Sequence, residues 1–339
     1  MYRATTSRLI WLFLAAFIVA GCERQQHLVE QHLLEFGTII EITMITDDLT
    51  QAERLLSEIE QRLRIQRNQW HAWEDSDLTR FNRALHQGAR AELPTSLTHL
   101  IRLSHHYHDA TGGLFNPALG KLVAAHGFHG REPDMNTIAE IKRDIPGMQD
   151  LRVEANTAVS SNPHLQIDLG GIAKGYAVGL LGDYLDENGI DHYIINAGGD
   201  MVTSGNRFGR PWRIGIQNPF APGVVASLEI EGKRSLFTSG NYHRKYWRGE
   251  GLAHHVIDPR SGEASSGQSS ATVLTTDPVL ADVAATALMI DGLHGHHDLA
   301  LSLQIQDYLV ISEQREIIVS RSLAEKIEIT LPWPTTIVD

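Results

Sequence analysis

The sequence predicts an α+β fold: a mixed or mainly antiparallel sheet with flanking helices, in one compact domain of two lobes. Short segments rich in β-branched residues alternate with four or five segments of helical period. Several adjacent strand segments are joined by turn residues alone, which indicates hairpins rather than strand–helix–strand units. The 339 residues are 42% hydrophobic and 21% charged, a globular composition with ample material for a core.

The N-terminal half begins with a predicted strand and continues with helices. Residues 36–46 are rich in β-branched side chains, which favours a strand. Residues 51–69 place leucine and isoleucine on one face and charged side chains on the other, as a surface helix does. Ser76 caps a short second helix, and residues 94–109 predict a third. Trp73 lies in the loop before Ser76, where its ring suits either the core or the wall of a site for a flat ligand.

The rest of the chain is organised around residues 165–179. Apolar and polar side chains alternate over residues 165–169, as they do at the end of a strand. A glycine pair then leads into a helix. The first turn of that helix leaves backbone N–H groups unpaired, so an anion could bind there beside Lys174. Neither Gly-x-Gly-x-x-Gly nor a P-loop motif is present. A purely structural turn from strand to helix is the alternative.

Further strands surround this central stretch. A hairpin is predicted to lead into it, and a strand over residues 193–202 is interrupted by a double glycine. The remaining predicted strands cover residues 212–216, 224–230 and 234–237.

Three later stretches combine reactive side chains with turn residues. Residues 238–244 contain hydroxyls, a bend and a cation. His255 is predicted on a strand just before an Asp-Pro turn, which would hold a proton-transfer group at a sheet edge. Asp282 and Thr286 are four residues apart on a predicted helix, so their side chains share one face. Such hard oxygen ligands suit Mg²⁺; a solvated acid at Asp282 is the alternative.

The N-terminus follows a different pattern from the globular part. Arginines precede an apolar run over residues 9–20, which ends at Cys22, the only cysteine. The pattern resembles a bacterial lipoprotein signal, in which the new N-terminal cysteine receives acyl chains. We therefore expect a signal peptide over residues 1–21 and a lipidated Cys22 with a tether over residues 22–34. An ordinary secretory leader or a buried cysteine is the alternative. The net charge of −12 argues against general nucleic-acid binding.

Five blocks of sequence, in this order, resemble the successive signatures of the ApbE family, the FAD:protein FMN transferases. The blocks are Asp168-Leu-Gly-Gly-Ile-Ala-Lys-Gly-Tyr, Asn196-Ala-Gly-Gly-Asp, Thr238-Ser-Gly-Asn-Tyr, His255-Val-Ile-Asp-Pro-Arg-Ser-Gly and Ala281-Asp-Val-Ala-Ala-Thr-Ala. The resemblance runs from about residue 36 to at least residue 312. It implies a transferase domain over residues 35–330 and leaves residues 331–339 as a C-terminal tail.

The resemblance implies an exported flavin transferase that splits FAD at its pyrophosphate. Such an enzyme attaches FMN to a threonine hydroxyl of a target protein through a phosphoester bond, with Mg²⁺, and releases AMP. Its targets include subunits of membrane redox complexes that carry covalent FMN. The implied location is the bacterial cell envelope, with the protein anchored by lipid to a membrane and facing the periplasm.

The resemblance also assigns roles by position. His255 and Asp282 would be catalytic, and the metal ligands would be Gly171 through its carbonyl, Asp282 and Thr286. The residues that would contact FAD or line its pocket are Phe36, Trp73, Leu114, Phe115, Asn116, Asp168, Lys174 and Val256. The chain departs from the family at Phe36, because relatives commonly have methionine before this Gly-Thr pair.

Two other functions are compatible with the same residues. A Mg²⁺-dependent FAD pyrophosphatase would use water in place of threonine and give FMN and AMP. A flavin-binding lipoprotein without catalysis would not require the complete set of Asp282, Thr286 and His255.

Overall fold

A computed structural model of the chain describes residues 25–88, 90–128, 132–242, 245–248, 251–292 and 296–339. Within these residues it confirms the predicted α+β class, with a central, mainly antiparallel sheet and helices packed against it. None of the described helices is long and apolar enough to cross a membrane. The predicted signal peptide and Cys22 lie outside the described residues.

The central sheet has nine strands within the described residues. In their order across the sheet they are β1 (His27–Glu35), β2 (Thr38–Thr46), β6 (His192–Ala197), β7 (Asp200–Ser204), β10 (Arg234–Gly240), β15 (Gln268–Thr275), β16 (Asp307–Ser312), β17 (Ile317–Ser320) and β19 (Thr335–Val338). Neighbouring strands are antiparallel except β17 and β19, which are parallel. The sheet is therefore mixed and mainly antiparallel, as predicted.

Smaller sheets accompany the central one. Three-stranded sheets are formed by β3 (Ala91–Glu92), β5 (Thr157–Ser160) and β4 (Leu151–Glu154), and by β18 (Ile327–Ile329), β9 (Val224–Ile230) and β8 (Trp212–Gln217). Two-stranded ribbons are formed by β11 (Lys245–Arg248) with β12 (Gly251–His254), and by β13 (Ile257–Asp258) with β14 (Glu263–Ala264).

The described helices include the three that were predicted in the N-terminal half. They are α1 (Leu49–Trp70), α2 (Asp77–His86), α3 (Thr95–Ala110), α4 (Gly120–Ala125), α5 (Met135–Ile141), α6 (Ala173–Glu187), α7 (Pro278–Asp291), α8 (His296–Ser302) and α9 (Arg321–Ala324), with a 3₁₀ turn at Met148–Asp150. Ser76 caps α2, since its hydroxyl accepts a hydrogen bond from the Thr79 N–H. Asp277 caps α7 in the same way, by accepting from the N–H groups of Val279 and Leu280.

Alternating side chains of β10 separate two layers of core. Phe237 points to the side of α6 and α7, where it shares a cluster with Ala284 of α7. Leu236 points to the opposite side, where it packs with Ile214 of β8 in the layer formed by β8 and β9. The central sheet is thus covered on both faces.

Helix α6 is shared between this core and a second lobe. Its Leu181 belongs to the cluster on the central sheet. Its Ala173 and Ala177 belong to a second cluster that contains Phe81 of α2 and Leu97 of α3. The residues at the start of α6 therefore lie where the two lobes meet.

The predicted tether over residues 22–34 is wrong from His27 onwards, because these residues form the edge strand β1. Val29 and Leu33 pack against the main core cluster, which supplies the free energy that orders the strand. The first predicted strand is also corrected at its start. Phe36 and Gly37 are the two turn residues of the β1–β2 hairpin, with φ of 53° and 71°.

Two predicted strands differ in the structure. Residues 165–169 are extended but make only an isolated bridge, between Gln166 and Leu119. The strand predicted over residues 193–202 is a hairpin of β6 and β7, because Gly198 and Gly199 both have positive φ and reverse the chain. The predicted tail over residues 331–339 is also corrected, since β19 extends the central sheet beside β17.

Candidate functional site

An extended segment precedes α6, and hydrogen bonds from other parts of the chain hold this segment in place. Asn82 makes two hydrogen bonds to Ile167: its Nδ2 donates to the carbonyl and its Oδ1 accepts from the N–H, both at 2.8 Å. The N–H of Asp168 donates to the carbonyl of Pro117 at 2.8 Å. A carboxylate oxygen of Asp168 accepts from the Gly170 N–H, also at 2.8 Å, and so stabilises the turn into the helix. Sequence reasoning missed Asn82, whose only signal was a polar residue on an apolar helix face.

Helices α6 and α7 approach closely through glycine. A Cβ atom at Gly175 would stand 2.8 Å from Cβ of Asp282, and one at Gly179 would stand 2.7 Å from Cγ of Pro278. Atoms do not approach so closely, so these two positions require glycine. The short distance allows the Gly175 N–H to donate a hydrogen bond to Oδ2 of Asp282 at 2.8 Å.

The three predicted metal ligands lie together at this helix contact. A Cβ atom at Gly171 would be 3.5 Å from Oγ1 of Thr286, so the backbone of Gly171 lies beside that hydroxyl. Asp282 is one helical turn before Thr286 on α7. Ser239, at the end of β10, forms a 2.9 Å hydrogen bond between its Oγ and Oγ1 of Thr286. Ser239 was not predicted individually, although it lies in one of the sequence blocks.

Asp282 is buried, with 4% of its surface exposed. The pKa of its carboxyl is raised from 3.8 to about 7, chiefly by burial; Asp200 contributes to the increase, whereas Lys174 and the Gly175 N–H oppose it. Among the described residues, the Gly175 N–H is the only hydrogen-bond donor to this carboxylate. A buried, weakly solvated carboxylate of this kind gains most when a cation binds beside it.

The donor set fits a hard divalent cation such as Mg²⁺. A carboxylate, a hydroxyl and a backbone carbonyl are oxygen ligands of the type that Mg²⁺ prefers. The described residues contain no group of three or more histidine, cysteine, aspartate or glutamate side chains that could hold a metal ion. A cation at this site would therefore depend on the mixed set of Asp282, Thr286 and Gly171, with the remaining positions left for water or substrate oxygens.

Lys174 lies in the first turn of α6 and forms an ion pair with Asp200. Asp200 is the first residue of β7, directly after the Gly198–Gly199 turn. Its other oxygen, Oδ1, accepts a hydrogen bond from the Thr238 N–H at 3.0 Å. In the sequence, Asp200 lies in one of the five blocks, but no role is predicted for it. The structure places it between the lysine and the strand that leads to Ser239.

Tyr242 closes another side of this charged cluster. Burial raises the pKa of its hydroxyl to about 12, with a contribution from the negative charge of Asp200. Gly240 leaves the space for its ring, because a Cβ atom there would overlap Tyr242. The tyrosine is therefore a neutral hydroxyl at neutral pH. Its signal in the sequence was its position at the end of one of the five blocks.

The segment of Leu114, Phe115 and Asn116 lies next to the start of α6. Phe115 is buried, and its ring would lie 3.3 Å from a Cβ atom at Gly171. Leu114 packs against the main core cluster. Asn116 is engaged at both ends of its amide, with Nδ2 donating to the Pro146 carbonyl and Oδ1 accepting from the Ala118 N–H. Phe115 thus lies beside the predicted cation site, whereas Asn116 holds the loop.

A row of aromatic side chains lies at the same end of the molecule, beside the first turns of α6. Phe36 stacks on Trp70 with ring centroids 6.5 Å apart, and Trp70 meets Tyr176 of α6 at 5.5 Å. His99 of α3 continues the row, 5.2 Å from Tyr176. Trp73, the predicted flavin contact, is half-buried three residues after Trp70. Phe36 therefore joins a row centred on Trp70, for which the sequence predicted no flavin contact.

His255 and Val256 follow β12, which ends at His254. His255 thus lies just after the strand rather than on it as predicted, and it is half-buried. Val256 is buried in the main core cluster, and its carbonyl accepts from the Ser265 N–H at 2.9 Å. His254 is buried, with Nε2 2.8 Å from the Ser265 carbonyl. The two histidines therefore differ in environment, and His254 has a structural contact.

Fold and site together define a class of α+β protein in which a helix pair brings a buried carboxylate, a hydroxyl and a lysine to one end of a mainly antiparallel sheet. Comparison with known proteins identifies the family to which the chain belongs. The model of the ApbE family matches residues 36–309, and the chain belongs to this family.

Named relatives support the membership. The chain is 33% identical over 319 residues to the FAD:protein FMN transferase of Rhodobacter capsulatus, covering 92% of this chain and 61% of that protein. It is 32% identical over 300 residues to the FAD:protein FMN transferase of Vibrio cholerae, covering 83% of this chain and 87% of the relative. The solved structure of the flavin transferase ApbE from Vibrio cholerae superimposes with a TM-score of 0.77 at 28% identity, covering 89% of this chain and all of that one.

Proposed function

We propose that this chain is an FAD:protein FMN transferase, an enzyme that moves FMN from FAD to a protein. The observation that carries the proposal is the assembly of Gly171, Asp282 and Thr286 beside Lys174, in a chain of the ApbE family. This assembly combines oxygen ligands for a cation with a lysine, the parts that a reaction at a pyrophosphate requires. The relatives in Rhodobacter capsulatus and Vibrio cholerae carry the same activity in their names.

The reaction is a transfer at the phosphorus atom of the FMN half of FAD. The hydroxyl oxygen of an acceptor threonine forms a new bond to this phosphorus. The bond from phosphorus to the bridging oxygen breaks, and AMP leaves with that oxygen. The proton of the threonine hydroxyl passes to a base. The products are a threonine phosphoester of FMN and AMP.

Asp282, Thr286 and the Gly171 carbonyl are the residues that would hold Mg²⁺. When bound, the ion neutralises charge on the pyrophosphate and so favours departure of AMP. Asp282 contributes the negative charge, and the hydrogen bond between the Ser239 and Thr286 hydroxyls orients the Thr286 side chain. The Gly175 N–H fixes the carboxylate by donating a hydrogen bond to its Oδ2.

Lys174 binds the pyrophosphate as a point charge, and Asp168 shapes the turn that presents the first turn of α6 to it. The aromatic row that contains Phe36 and Trp70 provides a flat apolar wall at this end of the molecule. His255 is the candidate base, because imidazole accepts a proton near neutral pH. It is half-buried and follows directly after β12.

We propose the acceptor and the location of the enzyme from the resemblance to the ApbE family and from the N-terminal sequence. The acceptor is a threonine in a subunit of a membrane redox complex. The enzyme is anchored by acyl chains on Cys22, in the cell envelope and facing the periplasm. This location brings the transferase to the surface on which such complexes lie.

The decisive experiment mixes the protein with FAD, Mg²⁺ and a threonine-containing segment from a redox subunit. Mass spectrometry should show that the segment gains FMN on threonine, while AMP appears in equal amount. The Thr→Ala form of the segment should stay unmodified. The orientation of the acceptor hydroxyl is the reason that threonine outcompetes water.

A hydrolase would behave differently in the same assay. It would release AMP and free FMN at one rate with every segment tested, and no flavin would become covalent. That result would show that the protein is an FAD pyrophosphatase and not a transferase. A protein that binds FAD but releases no AMP would be a flavin carrier without catalysis.

A further inference from the structure

We infer that Asp200 is a positioning residue that holds the ammonium group of Lys174 in the site. Asp200 has 2% of its surface exposed, whereas the Lys174 side chain has 33% exposed. A flexible four-carbon side chain in a half-open position would sample many rotamers, and a buried carboxylate at its tip selects one. The inference rests on the proposed function, because it gives Lys174 its task at the pyrophosphate.

The two oxygens of Asp200 have separate partners. Oδ2 pairs with Lys174, and Oδ1 accepts from the Thr238 N–H at 3.0 Å. The Thr238 side chain is fixed in turn by a 2.9 Å hydrogen bond between its Oγ1 and Oγ1 of Thr272 on β15. Asp200 is therefore anchored to the central sheet and does not move with the lysine.

The same strand segment reaches the predicted cation site. Ser239 follows Thr238, and its Oγ is 2.9 Å from Oγ1 of Thr286. One continuous series of contacts thus runs from Lys174 through Asp200 and β10 to Thr286. This connection fixes the lysine and the cation ligand relative to one another, which a reaction that depends on alignment requires.

The hydrogen bond from the Thr238 N–H does not require the charge of Asp200, since an amide oxygen also accepts from an N–H, although more weakly. The charge pairs with Lys174, and it also acts at longer range on Asp282 and Tyr242. In the free enzyme it partly neutralises the lysine, so Asp200 does not strengthen ground-state attraction of the pyrophosphate. A residue that orients a group without adding binding energy acts on kcat rather than on KM.

The test is Asp200→Asn, which keeps the shape of the side chain and the acceptor for Thr238. We expect kcat for FMN transfer to fall by about 10- to 100-fold, the usual effect of misplacing one charge-stabilising group. KM for FAD should stay the same or fall, because Lys174 loses its competing anion. FAD binding, measured by quenching of flavin fluorescence without acceptor, should likewise be unchanged or tighter.

A double-mutant cycle separates positioning from a general structural role. Lys174→Met and the Lys174→Met/Asp200→Asn double variant should have the same kcat within about threefold, because Asp200 acts through the lysine. Asp183→Asn is the matched control. Asp183 pairs with Lys233 at 2.9 Å on the exposed side of α6, so its loss should leave kcat unchanged.

An NMR measurement, which does not depend on enzymatic turnover, tests the position of the Lys174 ammonium directly. In ¹⁵N-labelled protein, the Lys174 ammonium should give an NMR signal protected from exchange, and Asp200→Asn should remove it. Wild-type kcat in Asp200→Asn, additive losses in the cycle, or an unprotected ammonium in the wild type would each overturn the inference. A wild-type protein with a protected ammonium but no covalent flavin product would contradict only the proposed transferase function.

Discussion

The N–H of Gly175 donates a hydrogen bond to Oδ2 of Asp282, so a carboxylate on α7 caps the first turn of α6. A cap usually comes from the residue before its own helix, but α6 has none, since Ile172 stands at that position. In the absence of a cation, Asp282 therefore accepts a hydrogen bond from one of the N–H groups in the first turn of α6 that have no partner within the helix. The structural contact between the two helices and the predicted cation site depend on the same side chain.

Gly175→Ala should separate the two helices. The new Cβ would stand 2.8 Å from Cβ of Asp282 and would also overlap the Pro278 carbonyl, so the backbone must shift. We expect a loss of about 1–3 kcal/mol in the free energy of unfolding, measured in urea, and a large loss of FMN transfer. Leu180→Ala, at an exposed position of the same helix, is the control and should change neither. Full activity of Gly175→Ala would contradict the close contact.

Asp282→Asn should abolish the dependence of activity on Mg²⁺ by removing the anionic ligand. We expect turnover to fall by about a hundredfold or more, because coordination of the ion contributes several kcal/mol to transition-state stabilisation. Asp291→Asn, on the same helix but paired with Arg260, is the control and should retain the dependence. Wild-type activity of the Asp282 variant in chelator-treated buffer would show that activity does not depend on a metal ion held by Asp282.

Without a metal ion, the stability of the protein should fall as pH rises from about 4 to about 7. The pKa of Asp282 is raised from 3.8 to about 7 by burial, so the folded state holds a proton that the unfolded state has released. The stabilisation from this proton is complete below pH 3.8 and is lost as pH passes through the folded value. Thermal unfolding in chelator, compared between wild type and Asp282→Asn, isolates this contribution. Equal slopes in the two proteins would show that Asp282 does not titrate in this range.

The adjacent histidines should have separable effects. His255→Ala should lower kcat by about 10²- to 10⁴-fold, the usual contribution of a general base, while FAD binding is largely kept. His254→Ala should instead lower the melting temperature, because buried His254 contacts the Ser265 carbonyl. Transfer assays and thermal unfolding of both variants provide the comparison. A His255 variant with wild-type kcat would assign the base to another group.

Cys22→Ser should release the protein from membranes without changing its activity. A chain that starts at residue 25 should be soluble and active, because the whole of β1 is retained. A chain that starts at residue 31 should be less stable, because it loses Val29 from the core together with half of the edge strand. Membrane fractionation and thermal unfolding distinguish these cases. Membrane association that persists in Cys22→Ser would require another anchor.

The sequence was most informative where one local signal decided the structure. The helices α1, α2 and α3 followed from apolar spacing and the Ser76 cap. Asp282 and Thr286 could be placed on one helix face from their spacing alone. These predictions needed no knowledge of distant contacts.

Features that depend on contacts between distant segments could not be predicted from local patterns. The turn at Phe36 has no Asn-Gly signature, so β1 was interpreted as a tether. The ion pair of Lys174 and Asp200 joins residues that only the hairpin of β6 and β7 brings together. The sequence does not distinguish Trp70 from Trp73 as an aromatic contact. Only the direction of α1 at its end puts Trp70 in the row with Phe36.

Strand β1 also sets the distance at which an anchored enzyme would work. Nine residues in extended conformation separate the start of β1 from the Phe36 turn by about 30 Å. The turn lies at the end of the molecule that holds the site, because Thr38 contacts Gly198 next to Asp200. For a chain attached through Cys22, a strand that stood away from the bilayer would place the site up to this distance from the lipid headgroups. The threonines within its reach would then lie on domains that project from the bilayer rather than at its surface.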